Sequence, residues 1–365
     1  MRATLILVIC ALVMAIDLSA QVRNFQVETK SDPNGEVELT VCSQNLYNYG
    51  SLADVRTRVP TITPRSLAFQ EASLIRRFLQ AECDVIAVQE VLARNPHLAK
   101  ENLQRLGNLL QERTNRPFEA FAGPSNDQRG HLGFIVATDR AQVSNSISYA
   151  RVELPKLAEE QKPRLFVRGP FEIQLDVKKS GAEGTRRVVL VNFHFKSQLN
   201  YPPDPASLQW ETYRMEMAEA LRRIVYNRHE KSFSDGGEIL LLLGDRNSHF
   251  DTASARILEG KLTLQHFQGE APCRLSKRGA PLCASETSLP ARLFSVLLQD
   301  PQTKHFPGTY RYGTTYSWLD DILMPLPSLR FARRDRSKEG EYSTGIIYEP
   351  AEASDHALVY VRLNW

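Results

Sequence analysis

The chain has 365 residues, of which 42% are hydrophobic and 24% are charged. This is the composition of an ordinary globular protein rather than of a low-complexity chain, and the length suffices for one large domain or two small ones. The formal net charge of +3 permits a polyanionic substrate, but it is weaker than the basic bias usual in dedicated nucleic-acid binders, so charge alone predicts no partner.

The first 20 residues have the pattern of a secretory signal peptide. Arg2 supplies the positive start, Leu5–Ile16 form the apolar run, and Leu18–Ala20 end in a cleavage site. A lipoprotein anchor at Cys10 is the weaker alternative, because a bulky residue precedes this cysteine. No later segment approaches 18 apolar residues, so we expect no stable membrane span after signal removal. The sequence therefore predicts a secreted or periplasmic protein.

Four cysteines remain after signal removal. Cys273 and Cys283 lie in a polar stretch containing Pro and Gly, where a disulfide would close a small loop and contribute roughly 2–3 kcal/mol in an oxidising compartment. Cys42 and Cys83 each lie beside an apolar run and are expected to be small buried residues. No Cys-x-x-Cys pair occurs, so a structural zinc site has no support.

Apolar strand-like segments alternate with helical patterns along the chain. The predicted helices have apolar residues at three- and four-residue spacing and are Arg65–Gln80, His97–Arg113 and Leu208–Asn227. The predicted strands are Val37–Ser43, Val85–Val88, Leu132–Ala137, Phe166–Val177, Val188–Phe195, Ile239–Leu243, Trp318–Leu323 and Ala357–Leu363. Several strands are almost continuously apolar, as expected when both faces are covered, so the pattern predicts an α/β domain with layered sheets.

No repeat or clear linker divides the mature chain, and we interpret residues 21–365 as a single domain. The region of about Leu262–Thr315 is rich in Gly, Pro, Ser and Thr, and it is expected to be a long loop excursion. The basic cluster Arg330–Arg336 is expected to be a solvated face, with contact to a phosphate backbone as the alternative.

Four predicted strands end in side chains that can bind a metal or a phosphate. These side chains are Asn45, Glu90, His194 with Asn192, and Asp245 with Asn247. Ligands of α/β sheets gather at strand ends, so the pattern predicts one shared rim. Each residue alone could instead be a turn residue or a helix-start acid, but turns alone do not readily explain the coincidence.

Two further polar groups precede their strands instead of following them. Ser354–His356 come before the last predicted strand, and Asp320 lies within or just before an apolar segment. These groups can reach the same rim only if the final strand runs antiparallel to the earlier ones. The sequence therefore predicts a mixed sheet and disfavours a purely parallel doubly wound fold.

The motifs together resemble a known family. In chain order they are Ser43-Gln44-Asn45-Leu46, Val88-Gln89-Glu90-Val91, Asn192-Phe193-His194, Gly244-Asp245-Arg246-Asn247-Ser248, Trp318-Leu319-Asp320-Asp321-Ile322-Leu323 and Ser354-Asp355-His356. This set resembles the endonuclease/exonuclease/phosphatase superfamily, in a form typical of secreted bacterial members, and it spans nearly the whole mature chain. The resemblance implies a deoxyribonuclease I-like, four-layered α/β sandwich with two mixed β-sheets. We also expect the protein to be a monomer.

The resemblance also implies a metal site. Glu90 is similar to the family's principal Mg²⁺ ligand, with Asn45 and Asp355 beside the metal. Carboxylate and amide oxygens are hard ligands that suit Mg²⁺, with Mn²⁺ or Ca²⁺ as alternatives.

Catalytic roles follow from the same resemblance. His356 is similar to the histidine that activates or orients the attacking water, and Asp320 would hold its tautomer. His194 resembles the histidine that binds the phosphate or the leaving group. Asp245 would orient the nucleophile, and the Asn247 amide would donate to a phosphoryl oxygen.

Three positions depart from the family pattern or match it weakly. Arg246 stands where the family usually has an apolar residue, and we expect its charge to reach solvent or an acidic partner, with a substrate contact as the alternative. Asp321 directly follows Asp320, and we favour Asp320 as the partner of His356 from its spacing to the following Leu. Arg129 resembles a residue of a substrate-side loop.

The leading hypothesis is a secreted Mg²⁺-dependent phosphodiesterase, a nuclease that hydrolyses DNA, with RNA as a further substrate. The alternative is a phosphatase or phospholipase-C-like hydrolase of lipid or small phosphate esters. Specificity in such folds lies in surface loops, and the lack of a clear aromatic-rich membrane-docking insertion favours nucleic acid. A non-catalytic binding protein is disfavoured, because every central polar group is present.

Overall fold

The computed structural model describes residues 39–127, 130–159, 161–178, 184–199, 208–268, 273–283, 291–299, 308–332 and 343–365. The predicted signal peptide, Arg129 and residues 333–336 of the basic cluster lie outside these ranges. Within them, none of the helices combines the length and the apolar character needed to cross a bilayer.

Strands and helices alternate through the described ranges. The helices are α1 (Leu52–Arg56), α2 (Pro64–Ala81), α3 (Pro96–Thr114), α4 (Glu211–Arg228), α5 (Glu230–Ser234), α6 (Ala253–Leu258) and α7 (Leu326–Leu329). The strands are β1 (Leu39–Gly50), β2 (Val85–Leu92), β3 (Phe118–Ala122), β4 (Gly130–Ala137), β5 (Ala141–Ser148), β6 (Phe171–Lys178), β7 (Thr185–His194), β8 (Ile239–Asp245), β9 (Leu293–Ser295), β10 (Tyr310–Tyr312), β11 (Thr315–Ser317), β12 (Asp320–Pro325), β13 (Thr344–Ile347) and β14 (Leu358–Leu363).

The strands form two six-stranded sheets and one hairpin. The first sheet has the order β13-β14-β1-β2-β4-β3, the second has the order β5-β6-β7-β8-β12-β9, and β10 pairs with β11. β1 runs parallel to β2, and β7 runs parallel to β8. The remaining pairs of the two sheets are antiparallel, including β14 with β1 and β12 with β8. Both sheets are mixed and the last strand runs against β1, as the positions of the polar groups predicted.

Alternating side chains place one apolar layer between the sheets and one outside each sheet. Ala87 of β2 and Leu190 of β7 belong to the central core, whereas their neighbours Ile86 and Val191 belong to the two outer cores. The outer core of the first sheet includes side chains of α2 and α3, and that of the second includes side chains of α4 and α6. This order of helix, sheet, sheet and helix is the predicted four-layered sandwich.

Helix α2 begins and ends at clear sequence signals. Thr63 caps its amino end in a reciprocal pair with Ser66, and Pro64 occupies the first turn, where it needs no hydrogen-bond donor. The helix ends at Glu82, which adopts the left-handed conformation with φ of 57°. These caps fix which face of α2 meets the first sheet, and that face carries the buried Arg77 discussed below.

Strand β1 is longer than predicted, because it continues through a polar segment. The pairing with β2 shifts register between Asn45 and Tyr49, and Tyr47 and Asn48 have positive φ values of 52° and 59°. Such a bulge redirects the side chains around it. The polar residues after Ser43 are typical of a loop, so the sequence did not predict that the strand continues through them.

Strand β6 is shorter than predicted. It begins at Phe171 instead of Phe166, because Gly169 and Pro170 interrupt the apolar run and proline cannot donate to a sheet ladder. The strands β3, β5, β9, β10, β11 and β13 were not predicted, since the apolar pattern of β5 is weak and the others span only three to five residues.

Two disulfide bonds join the four cysteines that the structure describes. Cys273 is bonded to Cys283, as the sequence predicted. Cys42 is bonded to Cys83, so the interpretation of these two as unpaired buried cysteines is wrong, although both are buried. Helix α2 returns the chain so that Cys83, two residues before β2, meets Cys42 of β1, and their Cα atoms lie 5.9 Å apart. Sequence separation alone does not reveal that approach.

Candidate active site

The polar strand ends of the two sheets meet at one rim. Asn45 at the bulge of β1 places its Nδ2 3.2 Å from Glu90 Oε1 and 3.2 Å from Asp245 Oδ2. Asn45 and Glu90 belong to the first sheet and Asp245 to the second, so this amide joins the two sheets. The predicted rim is thus formed by both sheets rather than by one.

Three site residues form a row across the second sheet. His194 and Asp320 are the register partners of Asp245 on the two neighbouring strands. His194 Nε2 lies 3.3 Å from Asp245 Oδ2, and the backbone N–H of Asn247 donates to Asp245 Oδ1 at 2.7 Å. Burial raises the pKa of Asp245 to about 7, and Asp320 adds to the rise while His356 opposes it.

His356 is held by a short hydrogen bond across the rim. Its Nδ1 lies 2.7 Å from Asp320 Oδ2, and its Nε2 lies 3.9 Å from Asp245 Oδ2. Burial lowers the pKa of His356, but the carboxylates of Asp320 and Asp245 outweigh it and raise the pKa to about 10. The partner of His356 is Asp320, whereas Asp321 accepts from Ser295 Oγ at 2.6 Å.

His194 has the opposite charge preference. Burial, with Arg168 and His356 nearby, lowers its pKa well below the usual value and favours the neutral imidazole. The Nδ1 atom is buried without a hydrogen-bond partner among the described residues. The neutral ring can therefore donate from Nε2 towards Asp245 while Nδ1 stays unprotonated.

Glu90 and Asp355 present two carboxylates at the open side of the rim. Glu90 Oε2 accepts from the backbone N–H of Asn48 at 3.1 Å, and Glu90 adopts a strained left-handed conformation with φ of 60°. Burial raises the pKa of Asp355, and nearby Glu90 and Asp320 add to the rise although His356 opposes it. Two neighbouring carboxylates that repel one another offer the hard oxygen donors that suit a divalent cation.

A second set of possible ligand atoms belongs to Asp245, Asp320 and His356, which lie within 4.8 Å of one another. His356 already shares a proton with Asp320 there, so this buried set is a hydrogen-bonded chain. The more exposed Glu90 and Asp355 are the better candidates for a metal.

A buried amide network ties the two sheets together beneath the rim. Asn192 of β7 donates through Nδ2 to the carbonyl oxygens of Val88 and Gly133, each at 2.9 Å. Gln89 of β2 donates to Asn192 Oδ1 at 2.8 Å. These three hydrogen bonds connect β2, β4 and β7, although the Gln89 Oε1 atom is buried without a hydrogen-bond partner among the described residues.

Two arginines near the site were missed by sequence reasoning. Arg168 donates to the carbonyl oxygen of Phe195 at 3.2 Å, and the Asn247 amide donates to the same oxygen at 3.2 Å. Arg168 therefore lies directly beside Asn247, and it also pairs with Asp127 at 3.3 Å. It was missed because it stands in an irregular segment without a motif.

Arg77 is the second missed arginine, and it is fully buried. It donates to the carbonyl oxygens of Tyr348, of Pro350 at 3.0 Å and of His356 at 2.6 Å. It also donates to Gln44 Oε1 at 3.1 Å. The periodicity of α2 offered a signal, since this charged residue falls on the apolar face of the helix.

Arg246 does not face a substrate. Its side chain is fully buried, and Nη1 lies 3.5 Å from both Asp321 Oδ2 and Glu259 Oε1. Its guanidinium also lies over the Trp318 ring at 5.1 Å. The expected acidic partner is therefore present, and the interpretation of Arg246 as a substrate-binding residue is wrong.

Three solved structures resemble this chain at low sequence identity. A humanized D. rerio TDP2 carrying 14 mutations matches with a TM-score of 0.52 and 14% identity, covering 90% of this chain and 99% of that chain. D. rerio TDP2 complexed with a single-strand DNA product matches with a TM-score of 0.51 and 14% identity, again over 90% and 99%. An endonuclease/exonuclease/phosphatase family protein from Bacteroides thetaiotaomicron matches with a TM-score of 0.49 and 13% identity. The match covers 91% of this chain and 98% of that chain.

No family model matches the sequence, and neither does any curated protein. The structural likeness nevertheless confirms the fold that the motifs predicted, a four-layered α/β sandwich with two mixed β-sheets like that of TDP2.

Proposed function

We propose that this chain, which has the endonuclease/exonuclease/phosphatase fold, is a secreted Mg²⁺-dependent phosphodiesterase that hydrolyses nucleic acid, with DNA as its principal substrate. The observation that carries the proposal is the 2.7 Å contact of His356 with Asp320, set beside Asp245 and within the same rim as Glu90 and Asp355. Structural ion pairs seldom combine two histidines and four acids at strand ends.

The metal would be held by Glu90 and Asp355, with Asn45 beside them. Mg²⁺ bound there would offset the negative charge that develops on the phosphate and on the leaving oxygen. The mutual repulsion of these carboxylates favours a cation at this position.

The buried carboxylates and His356 would handle the proton of the attacking water. Asp245, with a pKa of about 7, is poised near neutral pH to accept that proton at Oδ2. His356 stays protonated between Asp320 and Asp245, so its Nε2–H orients the water or stabilises a phosphoryl oxygen. Asp320 fixes the ring through Nδ1, because its carboxylate has no other hydrogen-bond donor among the described residues.

Two neutral donors and one cation would bind the phosphate. His194 Nε2 and Asn247 Nδ2 both lie beside Asp245, at 3.3 and 3.2 Å from its Oδ2. Either group can turn to a phosphoryl oxygen without a change of protonation. Arg168, next to Asn247, supplies a positive charge on the same side.

Nucleic acid is favoured as the substrate by two observations. TDP2, which shares the fold, has been solved with a single-strand DNA product. Lys196 follows the strand that carries His194, and its ammonium lies over the Trp210 ring at 4.8 Å. Together with Arg168 it offers the cations that phosphate backbones require, and such contacts would bind without reading sequence.

Export is supported by the disulfides. Bonds such as Cys42–Cys83 and Cys273–Cys283 persist mainly in oxidising compartments. The signal-peptide pattern of the first 20 residues is consistent with export. We therefore propose that the mature protein is a secreted or periplasmic monomer.

The test is a substrate panel with matched variants. Mature protein would be incubated with single- and double-stranded DNA, RNA, phosphatidylcholine vesicles and a sugar phosphate, with Mg²⁺ or with EDTA. We expect Mg²⁺-dependent cleavage of nucleic acid, lost in His356→Ala and kept in His97→Ala, whose histidine side chain is 80% exposed. The proposal would be refuted if neither EDTA nor His356→Ala reduced the activity, or if no ester in the panel were cleaved.

A further inference from the structure

A cleft of about 200 Å³ opens beside Asp355. Its walls include Ser354 and Asp355 on one side and Arg311 and Tyr316 of the β10–β11 hairpin on the other. Sites that hold whole drug-sized ligands have volumes of roughly 300–1,000 Å³. This cleft is smaller, so it fits a single ring-sized group of a larger substrate.

The hairpin wall is fixed to the segment that carries the site residues. Arg311 N donates to the Asp355 carbonyl oxygen at 3.0 Å, and Ala357 N donates to the Thr309 carbonyl oxygen at 2.6 Å. The Tyr310 ring packs on the His356 ring with 4.8 Å between centroids. A group bound in the cleft therefore has a defined position relative to His356.

Two tyrosines give the cleft an aromatic lining. The rings of Tyr316 and Tyr348 meet edge to face, with centroids 5.4 Å apart and planes at 84°. Arg311 lies over the Tyr316 ring at 5.8 Å, and Gly313 holds the arginine by accepting from its Nε at 3.0 Å. A planar guest can stack on one ring and meet the edge of the other.

The charges in the cleft disfavour a second phosphate. With Asp355 assigned to the metal, the carboxylate of Glu349 offsets the single cation of Arg311 in the lining. The hydroxyl of Tyr348 is buried without a hydrogen-bond partner among the described residues, which leaves a polar atom for a guest. A neutral planar group with polar edges satisfies this lining better than an anion does.

We propose that the cleft receives a nucleobase flanking the scissile phosphodiester, stacked on Tyr316. A base held there cannot pair with a complementary strand, so the substrate class is unpaired nucleic acid. The inference rests on the proposed phosphodiesterase function and narrows its substrate.

The experiment uses dinucleotides that differ only in their bases. The probes are thymidylyl-thymidine, two counterparts that each lack one base, and a doubly abasic counterpart that keeps the sugars and the phosphodiester. Stacking of one base on an aromatic ring is worth a factor of roughly 5 to 150. We expect kcat/KM of wild-type protein to fall by such a factor when the stacked base is removed.

Variants separate the cleft from the rest of the protein. Tyr316→Ala should lower kcat/KM for thymidylyl-thymidine by the same factor and leave the doubly abasic probe unchanged. Tyr312→Ala is the matched control, because this tyrosine lies on the same hairpin, is 78% exposed and is not part of the lining. Equal cleavage of all four probes by wild-type protein, or an equal loss on all probes in Tyr316→Ala, overturns the inference.

Failure of the proposed function gives a different result. Mg²⁺-dependent cleavage of the doubly abasic probe reports on the phosphodiesterase alone, since that probe has no base. If no probe is cleaved, the proposed function fails. Calorimetric titration in EDTA then still measures how tightly each probe binds to the protein. Equal affinity for thymidylyl-thymidine and its doubly abasic counterpart would then overturn the inference, and tighter binding of the former by the factor above would support it.

Discussion

His356 Nδ1 and Asp320 Oδ2 lie 2.7 Å apart, although the two residues are 36 positions apart in the chain and only Asp320 belongs to a strand of the two large sheets. Their contact joins the segment before β14 to the first residue of β12. The buried carboxylate selects both the orientation and the protonation of the imidazole.

Replacing Asp320 by Asn should therefore disable the histidine while preserving shape. We expect kcat to fall roughly 100-fold or more, as when the orienting acid of a catalytic histidine is neutralised. Steady-state kinetics on single-stranded DNA is the measurement. Asp321→Asn is the comparison, because Asp321 faces Ser295 and Arg246. Asp321→Asn should lower the stability but reduce kcat less than Asp320→Asn does. A larger loss of kcat in Asp321→Asn than in Asp320→Asn would contradict the assignment of Asp320 as the partner of His356.

The buried side chain of Arg77 should contribute to the stability of the fold around His356. Arg77→Met leaves the Tyr348 carbonyl oxygen without a donor among the described residues, whereas the oxygens of Pro350 and His356 keep Ala353 N and Gln44 Nε2. This predicts a loss of roughly 1–3 kcal/mol in the free energy of unfolding. Urea denaturation measures this loss. Arg76→Met is the matched control, since the neighbouring arginine is exposed. Similar losses in the two variants would refute the role of the buried side chain.

His229 should make a pH-dependent contribution to the free energy of unfolding. Its Nδ1 lies 2.7 Å from Glu238 and its Nε2 lies 3.2 Å from Glu172. Burial lowers the pKa of His229, but hydrogen bonds to the two carboxylates outweigh it and raise the pKa to about 9. Because the folded pKa is raised, the stabilisation is fully present below the unfolded value of about 6.5 and is lost as the pH rises through 9.

The check is a comparison of His229→Gln with wild type by chemical denaturation at pH 6 and pH 9.5. We expect the variant to be less stable by up to about 2 kcal/mol at pH 6, and this difference to shrink at pH 9.5. His97→Gln, which alters an exposed histidine, should show no such trend. A difference that grows with pH would reverse the assigned sign.

The two disulfides should differ in their effect on stability. The loop-entropy relation gives about 4 kcal/mol for Cys42–Cys83, which are separated by 41 positions, and about 3 kcal/mol for Cys273–Cys283, separated by 10. Replacing each pair by alanine and comparing unfolding free energies under oxidising conditions tests the order. Greater destabilisation from the shorter loop would contradict it.

Metal binding can be tested without measuring turnover. Mg²⁺ should raise the thermal midpoint of the wild-type protein, since a ligand that binds only the folded state stabilises it. Glu90→Gln should abolish most of that rise, whereas Glu112→Gln, an exposed change on α3, should keep it. An undiminished rise in Glu90→Gln would remove Glu90 from the metal site.

The sequence predicted the layered α/β fold and the shared rim because each depends on local patterns. Apolar runs marked β2, β7 and β8, and the polar residues that ended them marked the site. The antiparallel course of β14 followed from Ser354–His356 preceding their strand. These inferences required only that several chemical groups meet at one place.

Contacts between distant segments were harder to predict. Cys42–Cys83, Arg168 beside Asn247, and Arg77 beneath His356 depend on how α2 and the irregular segments pack. A charged residue on an apolar helical face is an anomaly that sequence can show, but its acceptors are backbone oxygens without a signature. The bulge at Tyr47 and Asn48 likewise depends on positive φ values that many polar loops would share.

The amide of Asn45 spans from Glu90 of one sheet to Asp245 of the other, and Asn192 ties the same two sheets below it. A molecule that kept all its strands but let the sheets slide apart by an ångström or two would have no assembled site. Catalytic activity is therefore a reporter of tertiary packing in this protein. During gentle denaturation, turnover should vanish while far-ultraviolet circular dichroism still shows native secondary structure.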